Sequence, residues 1–166
     1  MSTLLAVDPG NAESAYCLID ATNRAPLEFA KVRNDWLLGY LTATSADSAA
    51  IEMVASYGMA VGADVFETCV WTGRFAQVLT DHGIEPQLVK RLPVKLHHCH
   101  SAKATDSNIR QALVDRFALG EPNHGKGTKT NPGFFFGFHS DIWAAYALAV
   151  YAADLAASSS PRSGTA

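Results

Sequence analysis

The sequence predicts a single α/β domain, with a mixed five-stranded sheet opened by an antiparallel β-hairpin and flanked by helices. Three observations predict it. Two short apolar runs, residues 3–8 and 15–20, are separated by a polar segment that begins Pro9-Gly10, the pattern of a hairpin. Later apolar runs alternate with stretches of helical period, giving the order β-β-β-α-β-α-β-α-α. The chain has 166 residues, 48% hydrophobic and 17% charged, enough for one domain with its own core.

After the hairpin, residues 27–32 read as a third strand and residues 35–41 as a short helix with Trp36, Leu37 and Tyr40 on one face. Residues 49–54 form a buried strand broken by one charge, Glu52, and Ser56-Tyr57-Gly58 marks a turn. Residues 63–80 are the longest helical stretch, with an apolar stripe of Val65, Phe66, Cys69, Val70, Gly73 and Phe75. Residues 87–89 and 94–96 read as strand pieces. Asp106 or Ser107 can cap a helix that runs to Phe117 and turns Ile109, Leu113, Val114 and Phe117 inward. Residues 121–138, rich in glycine and proline, predict a long and partly mobile loop. Residues 141–155 are an Ala-rich helix, which places the folded domain at residues 1–157 and a disordered tail at 158–166.

Composition excludes several classes. No apolar run approaches the length of a membrane span, and no basic stretch precedes an apolar one at the N-terminus. Cys17, Cys69 and Cys99 are odd in number and irregular in spacing, which suits a reducing compartment and a cytoplasmic protein with no membrane partner. His97, His98, Cys99 and His100 are too close together to converge on one zinc ion from an extended chain. The loop around Gly125-Lys126-Gly127-Thr128-Lys129 falls short of a nucleotide-binding P-loop, and a flexible basic lid is the better reading.

The formal net charge is −3, unevenly spread. Residues 87–132 carry eight Lys and Arg against three acids, +5, and the rest of the chain carries −8. This predicts one face for a polyanion and an acidic site elsewhere, with an uneven solvated surface as the plainer alternative.

Three carboxylates stand out. Asp8 ends a buried strand and precedes Pro-Gly; Glu52 interrupts the apolar run AAIEMVA; Asp141 follows Phe-His-Ser at the start of an apolar helix. Each has an ordinary explanation, as a turn residue, the partner of an arginine and a helix cap respectively. Taken together they predict a convergent acidic pocket, which is neutralised by binding Mg²⁺ or Mn²⁺ through oxygen.

The motifs LLAVDPGNAESAYCLID, IEMVASYGM and HSDIWAAYALAV, in this order, resemble the three acidic motifs of the RuvC-type Holliday-junction resolvases of the RNase H-like superfamily. The segments IEMVASYGMAVGADVFETCVWTGRF and KATDSNIRQALVDRF look closest to RuvC-like proteins encoded by phages and prophages. The resemblance covers roughly residues 3 to 152. It implies an RNase H-like fold with Asp8, Glu52 and Asp141 as ligands for two divalent ions, and hydrolysis of phosphodiester bonds in branched DNA. One departure is visible. RuvC proteins often carry a second acidic or His position near the last Asp, and in this chain it falls at Ala144; His139, two residues before Asp141, is the candidate replacement as a proton carrier.

The resemblance further implies DNA backbone contacts at the start of the helix near residue 107, from Lys103, Asn108 and Arg110. Lys90, Arg91 and Lys95 extend that track, or protect an exposed strand edge. Tyr57 is the candidate to stack on an unpaired base or wedge a junction, with core packing as the alternative. Two nicks related by a two-fold axis require a homodimer. The broad apolar arc of Phe66, Val70, Trp71 and Phe75 offers a surface, unless the last helix and the long loop cover it. Competing readings are a ribonuclease acting on RNA–DNA hybrids or structured RNA and a non-catalytic DNA-binding module. An actin- or sugar-kinase-like ATPase would need two lobes, for which the chain is too short.

Overall fold

The computed structural model describes residues 1–160. β1 (Thr3–Asp8) and β2 (Glu13–Asp20) pair antiparallel, with Thr3 opposite Asp20 and Asp8 opposite Ala15. β3 (Pro26–Arg33) continues antiparallel on β2. On the other side β4 (Ser48–Met53) runs parallel to β1, and β5 (Gln87–Lys90) runs parallel to β4. The sheet order is β3-β2-β1-β4-β5. The chain thus leaves β1 in one direction and returns in the other at β4. In open sheets such a switch point leaves a crevice at the carboxyl ends of the parallel strands.

Strand alternation divides the core. Leu5, Val7, Ala49 and Ile51 face a layer that includes Leu37 and Leu41 of α1 (Asn34–Ala43) and Phe75 and Leu79 of α2 (Ala63–Asp81). Leu4, Ala6, Cys17, Ile19 and Ala50 face the opposite layer, built from α3 (Arg91–Cys99), α4 (Asp106–Phe117) and α5 (Ile142–Ser159). α5 lies across β1 and β2 with ten buried residues, among them Tyr146, Leu148 and Val150. By length and composition α5 is apolar enough to cross a membrane. Burial between the sheet and α4 accounts for that composition.

Five expectations are corrected. Residues 94–96 are helical, inside α3, not a strand piece. Pro93 is the reason: it cannot donate in a strand ladder, whereas in the first turn of a helix its missing N–H is no loss. The chain therefore has one helix more than the predicted order. The inner stripe of α2 is Thr72, Phe75 and Leu79, while Phe66 and Val70 stay 64% and 61% exposed.

The segment 121–138 is pinned, not loose. Phe135 and Phe138 are fully buried, Phe134 stacks on Phe117 with centroids 5.4 Å apart, and the Phe135 N–H donates to the Gly125 carbonyl at 2.8 Å. Gly125 has φ +79°, and a Cβ there would press on Ala118 and the Phe135 ring. Its glycine serves a close approach rather than mobility. Finally, α5 continues through Ser159, so the first two residues of the expected tail are helical; residues 161–166 lie outside the described residues. The helix starting at Asp106 is capped by Thr105, one residue earlier than expected.

Candidate active site at the carboxyl end of the parallel strands

Alternation that buries Leu4 and Ala6 toward α5 sends Asp8 to the same side, and Ala50 does the same for Glu52. The parallel register pairs Val7 with Ile51, so one step further sets Asp8 beside Glu52 at the ends of adjacent strands. Asp141 is the residue immediately before α5, the helix that crosses this face. The three carboxylates are close enough to perturb one another. Burial, then the negative charges of Glu52 and Asp141, push the Asp8 carboxyl up to about 8. Burial also raises Glu52, against the opposing charge and hydrogen bond of Arg91.

Two of the three carboxylates hold internal cations. Arg91, first residue of α3, places Nη1 3.2 Å from Glu52 Oε2 and donates through Nη2 to Asp106 at the start of α4. Lys31 Nζ lies 2.8 Å from Asp141 Oδ2. Asp141 makes no side-chain cap bond to α5, so the helix-cap explanation does not describe it. For Glu52 the arginine partner does exist. Among the described residues, no group of three His, Cys, Asp or Glu side chains is gathered as a metal-binding set. The donor set, all carboxylate oxygen with an under-neutralised Asp8 among like charges, fits a hard divalent cation once Glu52 and Asp141 exchange Arg91 and Lys31 for it.

The surroundings place the other candidate residues. Arg91 was expected on the DNA track, but both arms of its guanidinium are engaged inside the acidic site. Lys90 is exposed at the end of β5. Lys103 is exposed before α4. Asn108 closes a capping box with Thr105, its side-chain oxygen accepting from the Thr105 N–H at 2.9 Å, so at least that atom serves the helix. The Arg110 guanidinium stacks over the Trp143 ring at 4.8 Å, and both line a small hollow with Arg91, Asp106 and Asp141. His139 is exposed two residues before Asp141. Tyr57 is 65% exposed with φ +49°, so it does not pack in the core. With Met53, Val54, Leu92 and Lys95 it lines a cleft of about 540 Å³ that runs up to Glu52 and Arg91.

Lys31 and Asp106 were missed by the sequence reading. Lys31 was legible in principle: Asp8 sits opposite Ala15, and Ala15 opposite Lys31, so the three share one row and one face of the sheet. Nothing local marks Asp106, which meets the site only because α3 and α4 pack together.

No family model matches the sequence, and no curated protein matches it. Among solved structures, the chain is similar to Thermus thermophilus RuvC in complex with a Holliday junction substrate, at a TM-score of 0.68 and 13% identity over 96% of this chain and 97% of that one. A second Thermus thermophilus RuvC structure matches at a TM-score of 0.65 and 16% identity, covering 94% and 96%. The fold is therefore the RuvC-type, RNase H-like fold, with its mixed five-stranded sheet and flanking helices.

Proposed function

We propose that the protein is a metal-dependent endodeoxyribonuclease that cleaves phosphodiester bonds in branched DNA such as a Holliday junction. The observation that carries this reading is the under-neutralised Asp8, set beside Glu52 and Asp141 at the switch point of the sheet. Asp8, Glu52 and Asp141 would hold two Mg²⁺ or Mn²⁺ ions, which when bound supply an activated water and charge neutralisation at the leaving oxygen. In the absence of metal Arg91 pairs with Glu52 and Lys31 with Asp141. His139, exposed two residues before Asp141, would be the proton carrier of this reading. Lys103 and Arg110, with the start of α4, lie on the same layer as the site and, with Lys90 at the end of β5, would follow the phosphate backbone. Tyr57, held out from the protein, would stack on an unpaired base at the branch.

The homodimer belongs to this proposal. Phe66 and Val70 form an exposed apolar patch on α2, which neither α5 nor the 121–138 segment covers. A cytoplasmic setting in a bacterium or a phage-infected cell rests on the segment resemblance and the cysteine count alone.

One observation favours a second reading. Glu52 and Asp141 already hold cations, as they would in a DNA-binding module that had given up catalysis. The test is incubation of purified protein with four-way, Y-shaped, duplex and RNA–DNA hybrid substrates, with Mg²⁺, Mn²⁺ or chelator. The proposal predicts metal-dependent nicking at the branch. Binding without cutting under every metal condition supports the second reading, and preferential cutting of the hybrid points to a ribonuclease.

A further inference from the structure

Ser14, Asn34 and Thr72 are the buried polar residues of the described chain, and two of them meet at one place. The Ser14 hydroxyl donates to Asn34 Oδ1 at 2.6 Å and accepts the Gly10 N–H at 3.1 Å. Asn34 Nδ2 donates to the Gly10 carbonyl at 2.9 Å. Both backbone groups of Gly10 are thus held by two side chains that also hold each other. The Asn34 N–H adds a bond to the Ala12 carbonyl at 3.0 Å. A Cβ at Gly10 would fall on the Glu13 carbonyl oxygen, so the turn has no room to relax in that direction either.

Gly10 lies two residues beyond Asp8, and Asp8 is the last residue of β1. Beyond Val7 the strand no longer pairs with β4, so the ladder on that side does not fix the Asp8 backbone. On the other side the ladder holds Asp8 opposite Ala15 of β2, and the turn that leads out of Asp8 supplies the constraint that β4 no longer gives. Polar groups buried this deeply cost stability unless partners are supplied, and here they are supplied around one residue, Gly10.

We propose that Ser14 and Asn34 are positioning residues for Asp8: the closed ring they make around Gly10 fixes the Pro9–Gly10 turn and so aims the Asp8 carboxylate into the acidic site. The proposal rests on the reading of Asp8 as a metal ligand. It assigns to α1, whose first residue is Asn34, a part in the site that its position on the opposite layer would not indicate. Groups that orient a metal ligand at one remove are worth about 10- to 100-fold in metal affinity.

The test measures Mn²⁺ binding to the full chain without DNA, by electron paramagnetic resonance or calorimetry, together with the melting temperature. Ser14→Ala and Asn34→Ala should each weaken Mn²⁺ binding by about 10- to 100-fold. Thr72→Val removes the third buried polar side chain, whose hydroxyl donates to the Thr68 carbonyl in α2 at 2.9 Å. It should lower the melting temperature and leave Mn²⁺ affinity unchanged. Should Asn34→Ala fail to fold, Ser14→Ala carries the same comparison. Wild-type Mn²⁺ affinity in folded Ser14→Ala overturns the proposal, and so does an equal loss in Thr72→Val, because either result removes the link between ring and ligand. Asp8→Asn separates this failure from a deeper one: if it binds Mn²⁺ as tightly as wild type, the metal-site reading falls and the positioning role falls with it.

Discussion

α5 has an aspartate at each end, and the two meet opposite surroundings. Asp141, before the first turn, lies in a group where Asp8, Glu52, Asp141 and Asp106 face Arg91 and Lys31. Asp154, about 20 Å further along the helix, accepts from Arg24 at 2.8 Å, from Arg116 at 2.6 Å and from His97 at 2.7 Å. Burial opposes the ionisation of Asp154, and these hydrogen bonds overcome it, holding the carboxyl well below the ordinary range. At one end carboxylates outnumber cations and an acid is pushed up; at the other end cations outnumber carboxylates and an acid is pulled down. The Asp154 group ties the β2–β3 turn, α3 and α4 to α5, and its charges are satisfied within the protein. The acidic group is left short of positive charge, which a structural ion pair would not be. Charge balance therefore separates the end of the helix that holds the fold from the end available for chemistry.

The comparison can be broken at either end. The largest effect should come from the acidic group: Asp8→Asn, Glu52→Gln or Asp141→Asn should each lower cleavage of a four-way junction by about 10³-fold or more while DNA binding persists. Near-wild-type turnover in any one of them, at limiting metal, removes that residue from the site. Asp154→Ala should cost about 3 kcal/mol of stability at pH 7, measured by denaturant unfolding, because it strands two arginines that are largely or partly buried.

Its pH dependence has a definite sign. Asp154 is depressed in the folded state, so its contribution is complete above the ordinary carboxyl value of about 4 and is lost as pH falls through the lower folded value. The gap between wild type and Asp154→Ala should thus stay constant from pH 7 to about 5 and close in stronger acid. A gap that closes at neutral pH instead would contradict the assignment of the effect to the depressed Asp154 carboxyl. The smallest effect is at the DNA track. Lys103→Ala and Arg110→Ala should each reduce the slope of log affinity against log salt by about one; an unchanged slope in both excludes backbone contact there.

That Asp8, Glu52 and Asp141 lie near one another was legible because Asp8 ends an apolar run, Glu52 interrupts one and Asp141 begins one, and a charge at such a place demands a reason. The hairpin and its partners were legible from alternation and from Pro9-Gly10. The identities of the ion-pair partners were not, although an arginine for Glu52 was among the alternatives. Arg91 sits in a basic stretch that reads as a track for phosphate, and only the pairing of β5 with β4, which sets the start of α3 beside Glu52, turns its guanidinium onto that carboxylate. The 121–138 segment misled for a related reason. Its glycines signalled freedom, but Phe135 and Phe138 anchor it among Trp143 and Tyr146, contacts that no local pattern encodes. Residues 94–96 were misread because three apolar-rich residues have no period to choose between strand and helix, and Pro93 carried the deciding information.

The most direct measurement pairs junction cleavage with thermal melting of metal-free wild type and Asp8→Asn at pH 7. Burial among like charges makes ionisation of Asp8 costly in the folded protein, and Asn at position 8 carries no such cost, so the variant should be inactive yet more stable than wild type, by about 0.5–2 kcal/mol. An Asp8→Asn protein that cuts the junction at the wild-type rate would contradict the account, and so would one that is inactive only because it melts below the assay temperature.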